Sequence, residues 1–243
     1  MTQPIAGSAI GILLTAGRGS RMGGICKGRI LSDGLPLVVQ QLMTMAAAGL
    51  HRVVVVMGAQ AELIASILDR YAGMLSSIQL KTVVLSEGQI TDDPQRSVAE
   101  GLRATADWTA LGGAPSHVFI TLVDLPLLRP EHYQALWDYA HDAKADITVP
   151  RNGAGTPGHP ILLKGSILAG AAIQDPDFRL RELIAAMDIR RFDMLTEQSA
   201  YFRDSDTAED LAAISANGGP RLELPGASWS IISRGAVVRG WAG

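Results

Sequence analysis

A glycine-rich, cationic segment follows the first apolar run, Ile10–Leu14. Glycine lets backbone N–H groups approach an anion closely, and Arg18, Arg21 and Lys27 can neutralise phosphates. From Arg18 to Arg29 there are four cations and no carboxylate, although the chain has a formal net charge of −3. This concentration of charge predicts a local anion site and argues against an extended nucleic-acid surface.

Two carboxylates are candidate Mg²⁺ ligands beside that anion site. Asp124 follows the apolar run 117–122, and ligands of open α/β sheets bind where strands end. Asp206, in the segment RDSDTAEDL, is the second candidate and is preferred over Asp204. For Asp124 the alternative is structural, a cap of the turn before Pro126. Asp206 is also the predicted N-cap of the following helix, a role that is compatible with metal binding.

Other polar residues suggest further contacts. Arg96 and Ser97 fall in the first turn of a predicted helix, where an anion can bind. His159, between glycine and proline, is either a substrate contact or a turn residue, and no second histidine lies at zinc-ligand spacing. Cys26 beside Lys27 is a candidate reactive thiolate, but no base is evident and an inert role is favoured.

The glycine-rich segment also resembles two other nucleotide-binding patterns. Gly17, Gly19 and Gly23 give GxGxxxG, close to a dinucleotide fingerprint, but no acid follows the second strand until Glu62. A P-loop requires serine or threonine directly after its lysine, and here Gly28 follows. An NAD(P)-dependent oxidoreductase therefore stays only as a distant alternative.

The elements that must position these residues alternate between strand and helix. This rhythm predicts a Rossmann-like three-layer α/β/α fold with a mostly parallel sheet. The predicted strands are 9–14, 52–57, 80–85, 117–122, 147–149 and 160–163, with edge strands at 191–193 and 201–203; the predicted helices are 36–49, 61–71, 94–106, 130–141, 167–173, 180–187 and 207–216.

The composition is that of a globular enzyme with one domain and an appendage. Hydrophobic residues make up 47% and aromatic residues 5% of 243 residues, so there is a sizeable core and little material for base stacking. We predict a cytoplasmic protein without a membrane partner, because the chain has one cysteine, no basic leader and no apolar run near 20 residues. The low aromatic content and the localised positive charge predict no nucleic-acid partner. The predicted domain is 1–216. The tail 217–243 has no assigned role: it either packs on the domain or forms an interface, and Trp229 and Ile231–Ile232 suit a homodimer interface.

Five short motifs, in order between residues 8 and 216, resemble nucleotidyltransferases related to molybdenum cofactor cytidylyl- and guanylyltransferases. LLTAGRGSRMGGICKG is similar to the signature of that family, and VDLPLL to its metal-binding aspartate motif. GHPILL resembles the substrate loop and DSDTAEDL the closing motif, while DFRLR before Leu183-Ile184 is similar to a segment of the cytidylyl branch.

The resemblance implies transfer of a nucleoside monophosphate from an NTP, CTP favoured, to a small phosphorylated acceptor such as molybdopterin, with release of pyrophosphate. Arg21, Lys27 and Asp124 would be catalytic, and Asp124 and Asp206 would bind Mg²⁺. His159 and Arg181 would lie by the acceptor. The nucleotide would be bound by Thr15, Ala16, Gly17, Arg18, Gly19, Arg96 and Ser97.

Some residues depart from the cytidylyl pattern and keep alternatives open. Thr15 stands where alanine is usual, and Lys27-Gly28 is more typical of the guanylyl branch. A guanylyltransferase, or a cytidylyltransferase for a sugar or polyol phosphate, is therefore the main alternative. A third class is a non-catalytic nucleotide-binding regulator, against which Lys27, Asp124 and Asp206 all argue.

Overall fold

A computed structural model describes residues 4–5, 7–17, 19, 22–90, 94–112, 115–168, 180, 182 and 190–226. Strands and helices alternate along most of this length, as the sequence predicts. The strands are β1 (Ile10–Leu14), β2 (Leu31–Ser32), β3 (Leu35–Pro36), β4 (Arg52–Met57), β5 (Gln79–Val84), β6 (His117–Leu122), β7 (Ile147–Arg151), β8 (Ile161–Lys164), β9 (Arg191–Leu195) and β10 (Leu222–Glu223). The helices are α1 (Leu37–Ala47), α2 (Ala61–Arg70), α3 (Gln95–Gly112), α4 (Pro130–Asp142) and α5 (Ala208–Ala216).

Seven strands form one mostly parallel sheet in the order β5-β4-β1-β6-β8-β7-β9. Strand β1 lies centrally and pairs in parallel with β4 and β6. Only β8 runs antiparallel to its neighbours, β6 and β7. The predicted α/β fold is confirmed. The carboxyl ends of β1, β4 and β6 therefore open onto one edge, where loops from different parts of the chain can meet.

Both faces of the sheet are covered by helices because successive apolar residues of each strand point to opposite sides. Ile10 and Ile12 of β1 pack in the cluster that contains α3, whereas Leu13 packs in the cluster that contains α1, α2, α4 and α5. Gly101 of α3 allows close contact, since a Cβ there would lie 2.7 Å from Ile12 Cγ2. None of the described helices is long and apolar enough to cross a membrane.

A small second sheet, β10-β2-β3, attaches the start of the predicted tail to the segment that follows Lys27. Strands β2 and β3 are joined by a tight turn at Asp33-Gly34, both with positive φ. Arg221 and Asp33 exchange two hydrogen bonds of 2.9 Å, one from each backbone N–H. Residues 227–243, with Trp229 and the two isoleucines, lie outside the described part.

Two sequence predictions in the second half of the chain need correction. The strand predicted at 201–203 is wrong: Ser199–Tyr201 form a 3-10 helix, and the buried Tyr201 hydroxyl donates to the His132 carbonyl at 2.9 Å. The helix predicted at 167–173 is, where described, a 3-10 turn, Gly165–Leu168. Most of the helix predicted at 180–187 lies outside the described residues, and the edge strand predicted at 191–193 is confirmed as β9.

Lowering the pH from 7 to 4 is expected to destabilise the fold through His117 at the start of β6. Burial, then the charges of His141 and Lys164, lower the pKa of His117 to about 4, and its ring packs 4.7 Å from that of Trp137. Between about pH 6.5 and 4 the unfolded chain binds this proton and the folded chain does not, so stability falls as pH falls. We expect a loss of roughly 1–2 kcal/mol after screening by solvent.

Urea unfolding of the wild type and of His117→Phe at pH 7 and pH 5 measures this contribution. Phenylalanine keeps a ring against Trp137 but cannot take up a proton, so the variant should lose less stability on acidification. An equal loss in both proteins would contradict the assignment to His117.

Candidate functional site

Lys27 lies between two aspartates that come from distant parts of the chain. Its Nζ is 2.6 Å from Asp124 Oδ2 and also contacts Asp206 Oδ1. Lys27 opens a 3-10 turn, Asp124 follows β6 by two residues, and Asp206 lies in the loop before α5. These partners are separated from Lys27 by 97 and 179 positions. The fold thus brings together the predicted catalytic lysine and both predicted metal ligands.

The charged side chains of this cluster are mostly buried. The side chains of Lys27, Asp124 and Asp206 are 19%, 12% and 17% exposed. Burial alone would lower the pKa of Lys27, but the two carboxylates outweigh it and the pKa is raised, so the ammonium stays charged. Nearby Asp204 is exposed, and its pKa is raised by partial burial and then by Asp206 and Asp124.

The donor set fits a divalent cation that also binds phosphates. Asp124 Oδ1 is buried and has no hydrogen-bond partner among the described residues, while Oδ2 already faces a cation. Within the described part of the chain, no three histidine, cysteine, aspartate or glutamate side chains are close enough to hold a metal alone. Mg²⁺ commonly takes only one or two carboxylates and completes its octahedron with water and substrate phosphates. Asp124 and Asp206 would supply the two carboxylates of such a site.

Asp206 contacts Lys27 because the neighbouring residue, Thr207, takes over the N-cap of α5. The Thr207 hydroxyl accepts from the Asp210 backbone N–H at 3.1 Å, and the Asp210 carboxylate accepts from the Thr207 N–H at 2.8 Å. This capping box corrects the prediction that Asp206 caps the helix. The loop is not a strand, so Asp204 and Asp206 do not share a strand face.

The glycine-rich loop follows β1, and several of its backbone N–H groups have no hydrogen-bond partner among the described residues. Between described residues, no hydrogen bond uses the backbone N–H of Ala16, Gly17 or Gly19. Gly19 has a φ of 61°, and its carbonyl accepts from two later N–H groups at 2.9 Å. A Cβ there would collide with the Ile25 carbonyl, so the turn requires glycine. The described loop is therefore suited to hold an anion.

Thr15 is turned away from that loop. Its N–H and its hydroxyl both donate to the Val56 carbonyl of β4, at 2.8 and 2.9 Å. Both of its donors are therefore used inside the sheet, and only acceptor oxygens are left for the predicted nucleotide contact. Cys26 is buried, and burial raises the pKa of its thiol, which is the opposite of what a reactive thiolate needs.

The remaining predicted site residues are less closely grouped. Arg96 is exposed and Ser97 buried, both in the first turn of α3. His159 contacts the Ile120 carbonyl through Nδ1 at 3.2 Å, and its pKa is lowered chiefly by burial. It precedes a cis peptide bond to Pro160. The predicted residues Arg18, Arg21 and Arg181 lie outside the described residues.

Two polar residues near the cluster were missed by the sequence reasoning. Ser205 and Gln41 hydrogen-bond the backbone of the Asp124 turn, and both are fully buried. Ser205 carries no signal beyond its place between two aspartates. Gln41 does carry one, because it is a polar residue on a helix face whose neighbours Val38 and Met45 are buried.

Comparison with known proteins gives one family and several similar folds. A model of the MobA-like NTP transferase domain matches residues 11–191. The chain is similar to Rv0371c from Mycobacterium tuberculosis H37Rv, with 19% identity and a TM-score of 0.58 over 85% of this chain and 96% of that one. A second structure of Rv0371c is a complex with manganese, with 16% identity and a TM-score of 0.57 over 85% and 97%.

Two further structures have comparable similarity. A nucleotidyl transferase from Methanothermobacter shares 16% identity, with a TM-score of 0.61 over 86% of this chain and 96% of that one. The 4-diphosphocytidyl-2C-methyl-D-erythritol synthase from Anaerococcus prevotii shares 16% identity, with a TM-score of 0.61 over 86% and 95%. At these identities the likeness establishes the fold. A comparison with curated proteins gives no significant match.

Proposed function

Because the chain belongs to the MobA-like NTP transferase domain family, we propose that it transfers a nucleoside monophosphate from an NTP to a small phosphorylated acceptor. The observation that carries the proposal is the Lys27 ammonium between Asp124 and Asp206, at the end of the sheet where a loop has backbone N–H groups with no hydrogen-bond partner among the described residues. Such a cluster can neutralise a triphosphate and its metal ion together.

In the proposed reaction, an acceptor phosphate oxygen forms a bond to the α-phosphorus of the NTP. The bond between the α-phosphorus and the bridging oxygen to the β-phosphate breaks, and pyrophosphate leaves. The attacking oxygen is already anionic, so no general base is needed. Catalysis then depends on positioning and on charge neutralisation. The N–H groups of Ala16, Gly17 and Gly19 would bind phosphate, and Lys27 would stabilise charge in the transition state.

A bound Mg²⁺ would supply neutralisation of charge on the triphosphate and on the departing pyrophosphate. Asp124 and Asp206 would hold it, and Asp124 Oδ1, which has no hydrogen-bond partner in the described part of the chain, supports this role. The manganese complex of Rv0371c is consistent with a divalent ion in a protein of this fold. We propose Mg²⁺ because two carboxylates leave most of the coordination sphere to phosphate and water.

We propose CTP as the nucleotide and molybdopterin or a related phosphate as the acceptor. Two of the departures from the cytidylyl pattern, Thr15 and Gly28, have packing explanations. The Thr15 hydroxyl is used inside the sheet, and Gly28 is buried where a Cβ would lie 2.8 Å from Ile64 Cδ1. Neither residue then reports on the base. The diphosphocytidyl synthase among the similar structures is in keeping with CTP; GTP remains the second candidate.

His159 and Arg181 are the proposed acceptor contacts. A lowered pKa keeps His159 neutral near pH 7, and donation from Nδ1 to the Ile120 carbonyl would leave Nε2 as a hydrogen-bond acceptor. A neutral imidazole suits a hydroxyl or amine of the acceptor better than its phosphate, which Arg181 would bind. Arg18, Arg96 and Ser97 complete the proposed nucleotide contacts, and Arg21 the triphosphate contacts.

The test is pyrophosphate release from each of the four NTPs against molybdopterin and a panel of sugar and polyol phosphates. We expect release with CTP that depends on both the acceptor and a divalent metal. Release with GTP alone would identify GTP, not CTP, as the nucleotide. Release with a sugar phosphate would identify that compound class as the acceptor. Binding of NTP without pyrophosphate release across the panel would contradict an enzyme, and nicotinamide binding without NTP binding would favour an oxidoreductase.

Gly58→Ala is expected to weaken NTP binding by displacing the backbone of Ala16 at the start of the glycine-rich loop. A Cβ at residue 58 would lie 2.5 Å from the Ala16 carbonyl oxygen, so the loop must shift. We expect KM for the NTP to rise about 10-fold, the equivalent of about 1.4 kcal/mol, with a smaller change in kcat. Gly73→Ala, at a position with open space around it, is the matched control. Unchanged KM in a folded Gly58 variant would show that the loop tolerates the shift.

A further inference from the structure

The turn that carries Asp124 is held from two sides by buried polar side chains. Ser205 donates to the Asp124 carbonyl through its N–H at 2.9 Å and its Oγ at 3.2 Å. Gln41 of α1 donates from Nε2 to the next carbonyl, that of Leu125, at 2.6 Å. Two consecutive carbonyls of one turn are therefore fixed to segments 81 and 84 positions away in sequence.

These bonds link the two carboxylates to each other. Ser205 directly precedes Asp206, so its two bonds to the Asp124 carbonyl join the backbones from which both side chains extend. We infer that Ser205 and Gln41 are positioning residues that set the separation of the Asp124 and Asp206 carboxylates for a divalent cation. The inference rests on the proposed function, in which those carboxylates hold the metal.

Stability alone does not account for Gln41. Its Oε1 is buried with no hydrogen-bond partner among the described residues, and an unpaired buried polar atom is unfavourable. An apolar side chain would match the buried Val38, Leu42 and Met45 around it. The unpaired Oε1 is therefore a local cost in stability, and the bond from Nε2 to the Leu125 carbonyl is what the amide provides.

The Asp124 carbonyl does not need the Ser205 hydroxyl as a hydrogen-bond donor. The Asp124 carbonyl already accepts the Ser205 N–H at 2.9 Å, which an alanine would retain. The second, longer bond from Oγ adds direction to the contact rather than a missing partner. Because Mg²⁺ demands near-ideal octahedral geometry at 2.0–2.1 Å, small errors in carboxylate placement weaken its binding. Partners that orient metal ligands typically contribute about 10- to 100-fold in affinity.

Gln40 provides a matched control on the same helix. It donates from Nε2 to the Pro126 carbonyl at 3.3 Å, one residue further along the turn. Arg129 Nη1 donates to that same carbonyl at 3.1 Å, so the Gln40 bond is duplicated. Gln40→Leu therefore repeats the chemical change of Gln41→Leu, but the Pro126 carbonyl keeps a side-chain donor, Arg129. In Gln41→Leu the Leu125 carbonyl loses its side-chain donor among the described residues.

The experiment measures Mn²⁺ affinity by electron paramagnetic resonance, with and without CTP or GTP, for wild type, Ser205→Ala, Gln41→Leu and Gln40→Leu. We expect Mn²⁺ to bind about 10- to 100-fold more weakly to the first two variants and within about twofold of wild type to Gln40→Leu. The metal concentration for half-maximal turnover should rise in parallel, with kcat restored at saturating metal. Thermal unfolding should show all three variants folded, and Gln41→Leu no less stable than wild type.

Folded Ser205→Ala and Gln41→Leu proteins with wild-type Mn²⁺ affinity would overturn the inference. So would an equal loss in Gln40→Leu, which would indicate a general effect of changing α1, or a wild type that binds no Mn²⁺ under either condition. Failure of the proposed function gives a different result, because a wild type that binds Mn²⁺ but releases no pyrophosphate would leave the positioning inference standing.

Discussion

Lys27→Ala is expected to reduce turnover by about 10²- to 10³-fold, the usual loss when one group that stabilises transition-state charge is removed. In the folded protein its ammonium already lies against Asp124 and Asp206, with a raised pKa that keeps it charged. KM for the NTP should change less than kcat, because the charge that Lys27 would stabilise develops in the transition state.

The same substitution has a second expected effect that does not depend on activity. Without the ammonium, the Asp124 and Asp206 carboxylates lose the cation that lies between them. The metal-free variant should lose about 1–3 kcal/mol of stability, and Mg²⁺ or Mn²⁺ should restore more stability to it than to wild type. Thermal unfolding with and without metal measures this difference.

Two variants serve as controls for Lys27. Lys27→Arg keeps the positive charge and should recover the metal-free stability, but not full turnover, because its planar group does not reproduce a compact ammonium. Lys81→Ala removes a lysine that donates to the Ala104 carbonyl elsewhere in the fold, and it should leave kcat unchanged. Turnover near the wild-type level in Lys27→Ala would refute the proposed role of Lys27.

Asp124→Asn is expected to lower kcat by roughly 10³-fold, since it would remove a charged ligand from the proposed metal and triphosphate site. Asparagine has nearly the same size, and the residue 124 carbonyl can still accept both Ser205 bonds, so the fold should persist. Raising the metal concentration should recover only part of the loss. Steady-state kinetics over a range of Mg²⁺ concentrations, with circular dichroism to check folding, measures the effect.

Asp204→Asn is the matched control for the carboxylate cluster. Asp204 lies two residues before Asp206 in the same loop but is exposed, and its pKa is raised by burial and by the neighbouring aspartates. Removing its charge should relieve repulsion and leave kcat within about threefold of wild type, because exposed charges contribute little. An Asp204→Asn variant as impaired as Asp124→Asn would instead make Asp204 part of the site.

The centre of the sheet could be predicted from the sequence because strands β1, β4 and β6 are short, buried apolar runs with few alternative interpretations. Val53 to Val56 form an uninterrupted buried run, which is typical of a strand covered on both faces. The direction of β8 was not predictable, since an isolated run such as Ile161–Lys164 fits either orientation. The strand predicted at 201–203 failed because the aromatic residues there pack as a 3-10 turn.

The chemical cluster could be predicted by residue, but its arrangement could not. Lys27, Asp124 and Asp206 were all expected, whereas the sequence does not show that the lysine would lie between both aspartates. Asp206 is the better N-cap by residue type, but in the structure Thr207 caps the helix in a reciprocal pair of hydrogen bonds with Asp210. Gln41 and Ser205 act through backbone carbonyls, and such contacts leave almost no trace in the order of residues.

The pairing of β10 with β2 bears on the order in which the molecule is completed during synthesis. The ribosome releases the N-terminal part of a chain first, so β1 and Lys27 emerge long before the residues that contact them. Asp206 follows Lys27 by 179 positions, and the contact between Asp33 and Arg221 spans 188. A nascent chain can therefore build the seven-stranded sheet before it has both carboxylates of the proposed cation site. Prematurely terminated products that retain the sheet but end before Asp206 would be inactive, which separates acquisition of the fold from acquisition of activity.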